Sequence, residues 1–125
     1  MGVNLSEYKS LFIQTAVALV QLYDQSLLIL KKDISNKTEI EKLFRTIHSL
    51  KSQSLFMNYV RMGEYCIKLE AFLYPFKNGS TYLTGDILSA LPDKSLFLTN
   101  LKSIENTDSE VVFGELKLPV VENST

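Results

Sequence analysis

Apolar residues recur at helical spacing along most of this chain, and polar breaks divide the pattern into segments. The first segment predicts a helix from about Leu5 to Lys32. Asn4 or Ser6 is placed to cap it, Glu7 sits near the positive end of its dipole, and Lys31 and Lys32 suit the negative end. A polar break from Asp33 to Lys37 follows. Thr38 is then expected to cap a second helix, with Glu41 completing a capping box, and this helix runs to about Met57. In it Ile40, Leu43, Phe44, Ile47, Leu50 and Ser54 share one side at 100° per residue. Asn58 is a natural stop, because asparagine tolerates the left-handed conformation that ends helices.

A third helix is expected from about Val60 to Phe76, with Met62, Tyr65, Cys66, Leu69, Leu73 and Phe76 as its apolar stripe. Pro75 is awkward inside it and is expected to end it early. Lys77-Asn78-Gly79-Ser80 reads as a turn. A shorter helix capped by Thr84 fits Thr84 to Leu91, and after the Pro92-Asp93 break a fifth segment fits Asp93 to Ile104. From Asn106 to Thr125 the chain changes character: Val111-Val112-Phe113 and Leu116 to Val121 are extended in type, and Pro119 opposes a helix. The expected architecture is all-α: an antiparallel up-and-down helical bundle with a four-helix core, a fifth helix as an option, and a C-terminal extended tail. The bundle takes residues 1–105, and 106–125 are tail or linker.

Composition narrows the classes. A chain of 125 residues with 46% hydrophobic and 22% charged residues suits one globular domain. The net charge of −1 leaves no basic excess for a nucleic-acid backbone and no polybasic tract for an anionic membrane. Leu11 to Leu30 has about the length of a membrane span, but Gln14, Gln21, Asp24 and Gln25 would be costly in lipid. Glu7 and a single preceding Lys also oppose a secretory signal. The better reading is a core helix that is apolar over more than one stripe. The single cysteine, Cys66, reads as a small core residue and points to no oxidising compartment, so a cytoplasmic protein is expected.

The candidate chemistry rests on His48, the only histidine. It lies at the margin of its helix's apolar stripe, where an imidazole is held by the bundle and still reaches solvent. Lys51 lies one turn further on, also at the margin. No second histidine, neighbouring cysteine or Ser/Asp partner completes a metal site or a triad, so the arrangement suits acceptance of a phosphoryl group. No phosphate-cradling Gly-rich loop and no acidic cluster for magnesium accompany it. Neither ATP, another cofactor nor a metal is therefore expected to bind this chain.

From His48 onward the residues resemble the histidine phosphotransfer (HPt) domain. That family's pattern is His, any residue, Leu or Ile, Lys and Gly, with a small residue two further on. A helix-closing glycine follows, then an aromatic, then a spaced Leu and Leu-Glu on the next helix. The matching residues are His48, Leu50, Lys51, Ser52, Ser54, Asn58, Tyr59, Met62 and Leu69-Glu70. The likeness is greatest to the amino-terminal phosphotransfer domain of chemotaxis-type histidine kinases. There too a long helix precedes a Phe-Arg-x-x-His helix and a Glu follows 22 residues after the His, as Phe44-Arg45-Thr46-Ile47-His48 and Glu70 do here. Three positions depart from the pattern. Ser52 replaces a glycine and narrows the approach of a partner, Asn58 replaces the helix-ending glycine, and Ile67 stands where many such domains carry a second histidine.

The resemblance implies roles. His48 is the phosphoacceptor, Glu70 orients its imidazole by taking a hydrogen bond from Nδ1–H, and Lys51 offers charge to the phosphoryl oxygens. Arg45, Ser52 and Leu55 are candidates for the surface on which a partner lands. The implied partners are a histidine-kinase catalytic domain, which draws on ATP, and a response-regulator receiver domain, which supplies its own magnesium. The competing reading is a non-catalytic dimerisation or adaptor bundle with His48 idle, which has no need of the Glu70 spacing. A monomer or weak homodimer is expected. The first helix is apolar around more of its girth than one interface covers, and either the Val111 to Val121 segment, which is preferred, or a second copy of the protein is expected to lie along it.

Overall fold

The computed structural model describes residues 5–120, and the Asn4 cap lies outside them. Five helices follow in order: α1 (Leu5–Lys32), α2 (Lys37–Phe56), α3 (Val60–Lys77), α4 (Gly85–Ala90) and α5 (Lys94–Thr107). Among the described residues there is no strand. The four long helices form the bundle and α4 is a six-residue turn of helix between α3 and α5.

Contacts between distant residues establish the antiparallel arrangement. Ser26 Oγ, late in α1, donates to Glu39 Oε1, early in α2, at 2.8 Å. Phe44 and Tyr74 pair their rings across α2 and α3. Lys9 bonds the Glu105 carbonyl at 3.1 Å while Lys94 pairs with Asp24 at 3.2 Å, so α1 and α5 run in opposite directions. Tyr65 on α3 meets Phe97 on α5 edge to face, which closes the ring of four helices.

The stripes read from the sequence are the core, except that Phe44 is only partly buried and packs against it. Ile40, Leu43, Ile47, Leu50 and Ser54 of α2 are buried, as are all six stripe residues of α3. From α1, Phe12, Ala16, Val20, Tyr23 and Leu30 are buried, whereas Leu11, Leu22, Leu28 and Ile29 remain substantially exposed. The apolar excess of α1 is therefore real, and the tail does not cover it along its length as expected. Residues 109–118 lie against α3 and α5 instead, with the Phe113 ring tilted against Tyr65 at 5.0 Å, Glu110 bonded to the start of α3 and Val111 N–H bonded to Asn100 of α5. The cause is polar. The first turn of α3 has unpaired N–H donors and no capping side chain of its own, and the carboxylate of Glu110 meets them.

Helix ends also differ from expectation in detail. Asn36, not Thr38, caps α2, its Oδ1 accepting from Glu39 N–H at 3.0 Å. The helix therefore starts earlier, Thr38 lies inside it, and Glu41 pairs with Arg45 rather than closing a capping box. Ser6 likewise lies inside α1. Pro75 does not end α3: the helix continues to Lys77, where Asn78 N–H bonds the Tyr74 carbonyl at 3.0 Å. A proline so near the end removes one interior hydrogen bond and leaves the rest of the turn intact. Asn58 takes the left-handed conformation, φ 63°, with its N–H on Leu55 and that of Tyr59 on Ser54, closing α2 as the sequence indicates. Thr84 and Asp93 cap α4 and α5.

Candidate functional site

The site forms on the seam between α2 and α3. His48 leaves the margin of α2 with its side chain about half exposed, 54%. Glu70 leaves the facing margin of α3, and its Oε2 stands 3.2 Å from His48 Nδ1. Lys51, one turn along α2, places Nζ 2.8 Å from the same Oε2. One carboxylate oxygen thus meets both the imidazole and the ammonium group, while the Lys51 and Glu70 side chains are only 21% and 19% exposed. With Nδ1 protonated and bonded to Glu70, the neutral imidazole carries its lone pair on Nε2, and no described residue occupies that nitrogen.

Electrostatics keep Glu70 charged. Partial burial raises its pKa, but the hydrogen bonds from Lys51 and His48 and their charges outweigh it and hold the carboxyl below the usual range. A charged Glu70 favours the Nδ1–H tautomer. Cys66, one turn earlier on α3, is fully buried, and burial together with the nearby Glu70 charge pushes its thiol up to about 12. It is a packing residue, as expected, and no nucleophile.

The docking candidates do not share one face. Ser52 is exposed and lines a groove of about 390 Å³ with Tyr8, Leu11, Phe12 and Phe56, on the α1 side of α2. Arg45 is also on that side, paired with Glu41, and lines a second groove with Leu22, Ser26 and Lys42. Leu55 faces α3 and fills the space above Gly63, where a Cβ would collide with its side chain. Ile67 is an exposed apolar residue one turn before Glu70 and provides no polar group to the site.

Two neighbours of the site escape a reading of single helices. Lys77 Nζ lies 5.3 Å from the Phe44 ring and 5.8 Å from that of Tyr74, a cation–aromatic cluster one turn from His48 along the seam. Phe56, 81% exposed, is the most prominent apolar side chain of the Ser52 groove. The signal for the first was an aromatic on each helix at matching distance from His48 and Glu70; for the second it was an aromatic outside its own helix's stripe. Among the described residues no three His, Cys, Asp or Glu side chains converge on a metal position.

Comparison with known proteins identifies the family and the fold. The family described as the Hpt domain matches residues 7–105. The chemotaxis protein CheA of Bacillus subtilis (strain 168) is 30% identical over 88 residues, 70% of this chain and 13% of the relative. The chain thus spans a small part of that relative's length. Among solved structures, the CheA phosphotransferase domain from Thermotoga maritima superposes with a TM-score of 0.64 at 26% identity, over 82% of this chain and 91% of that one. A helical bundle with a half-exposed histidine, matched by a family description over most of its length, leaves one assignment: this chain belongs to the Hpt domain family, and is a phosphotransfer module rather than a catalytic kinase domain.

Proposed function

We propose that His48 accepts a phosphoryl group from a histidine-kinase catalytic domain and passes it to an aspartate of a response-regulator receiver, in the cytoplasm where ATP is the source. The observation that carries the reading is the 3.2 Å approach of Glu70 Oε2 to His48 Nδ1, on a side chain that is half exposed. In the first step the Nε2 lone pair attacks the γ-phosphorus, a P–N bond forms, and the P–O bond to ADP breaks. Glu70 retains the hydrogen bond from Nδ1–H as positive charge develops on the ring, which lowers the barrier electrostatically. Lys51 has three N–H donors, so it can hold Glu70 and still present one to a phosphoryl oxygen. In the second step an aspartate oxygen attacks phosphorus and the P–N bond breaks, returning neutral His48. Arg45 and Ser52, on the α1 side of α2, and Leu55, on its α3 side, are contacts for the two partners.

The test is incubation with labelled ATP and a panel of histidine-kinase catalytic domains. One label per chain is expected, lost in acid and stable in base as a phosphoramidate is, with none on His48→Gln. An acid-stable label on serine or threonine would overturn the reading.

A further inference from the structure

The first turn of α3 has a second, unusual feature. Tyr59, at its N-cap position, makes no side-chain cap hydrogen bond. The donors are met from the far end of the chain. Glu110 Oε2 accepts from Arg61 N–H and Oε1 from Met62 N–H, both at 2.9 Å. A negative carboxylate here also suits the positive end of the helix dipole. Asn100, fully buried on α5, holds the arrangement from beneath: its Nδ2 donates to Glu110 Oε1 at 3.1 Å and its Oδ1 accepts from Val111 N–H at 2.9 Å. Arg61 Nη1 donates to the Glu110 carbonyl at 2.9 Å. Beyond this point the Phe113 ring packs tilted against that of Tyr65, and Leu116 and Leu118 are half-buried against the core.

We propose that residues 109–118 form a releasable strap latched by Glu110, which serves as the N-cap that α3 lacks. The strap has no helix or strand of its own. It is held at a few points, and Val112, between two of them, is 80% exposed. Attachment of this kind opens by local unfolding while the bundle stays folded. Latched, the strap closes the first turn of the helix that carries Glu70 and fixes where the chain leaves the bundle. Released, it uncaps α3 and bares the Arg61–Tyr65–Lys68 edge.

Hydrogen exchange and NMR on the full chain test this. In the unaltered protein the Arg61 and Met62 amides should exchange faster than those of Leu50 and Leu69, and a nuclear Overhauser contact should join the Phe113 and Tyr65 rings. Glu110→Ala should speed exchange at Arg61 and Met62 by about tenfold or more, the worth of a hydrogen bond to a charged group. It should also abolish the ring contact and leave exchange in α2 unchanged. Glu110→Gln, which keeps an acceptor without the charge, should fall between. An unchanged ring contact and unchanged exchange in Glu110→Ala would overturn the latch. Exchange of Arg61 and Met62 in the unaltered protein only at the rate of Leu50 and Leu69 would overturn release, even if the alanine variant failed to fold.

Discussion

His48 and Glu70 are separated by 22 positions in the chain, and the fold brings Nδ1 of one to 3.2 Å from Oε2 of the other. The same oxygen receives Lys51 Nζ at 2.8 Å. This sharing puts Glu70 between the imidazole and the lysine, where a charged carboxylate favours the Nδ1–H tautomer.

Glu70→Ala should leave the bundle folded, because Glu70 lies outside the buried stripe of α3, and should slow labelling of His48. A hydrogen bond to a charged group is worth about 1.5–3 kcal/mol, so a loss of tenfold or more in rate is expected if most of it acts in the transition state. Glu70→Gln should give an intermediate rate. Labelling kinetics with a cognate kinase domain measure both, and an unchanged rate in Glu70→Ala would remove Glu70 from the site.

Lys51→Met should raise the pKa of Glu70, since the hydrogen bond and charge that oppose burial are lost. Carbon-detected NMR titration should place Glu70 below the ordinary glutamate value of about 4.3 in the unaltered protein and higher in the variant. The sign for stability follows. A carboxyl depressed in the folded state adds stability that is fully present above its unfolded value and is lost as pH falls through the folded value. The gain from Lys51 should therefore vanish in acid, where the two proteins should converge in stability.

Gly63 and Leu55 should behave as a coupled pair. A Cβ at Gly63 would overlap the end of Leu55 and stand 2.7 Å from its Cγ. Overpacking usually costs about 1–3 kcal/mol, and the lower end applies because Leu55 is 41% exposed and can turn outward. Denaturant unfolding should show Gly63→Ala destabilised, and a smaller effect of the same change in a Leu55→Ala background. Equal effects in both backgrounds would mean that the contact carries no strain.

The sequence by itself determined the helices, because amphipathic periodicity is local: the stripe of α3 and, Phe44 apart, that of α2 are buried, and Asn58, Thr84 and Asp93 end or begin helices as their chemistry dictates. It also determined that His48 lies at a margin, since the wheel depends only on the helix. That Glu70 faces it was legible from spacing and resemblance, but the sharing of one oxygen with Lys51 was not, because it depends on rotamers at a helix crossing. The same limit explains the cap of α2. Thr38 and Asn36 are both competent, and Asn36 is used in the register that lets Glu39 reach Ser26 on α1. The tail shows it most clearly. Its apolar residues suggested the uncovered side of α1, yet the uncapped donors of α3 and the buried amide of Asn100 drew Glu110 elsewhere. Apolar matching is nondirectional and leaves many docking choices open, whereas hydrogen-bond donors have fixed positions, and those positions exist only once the bundle has formed.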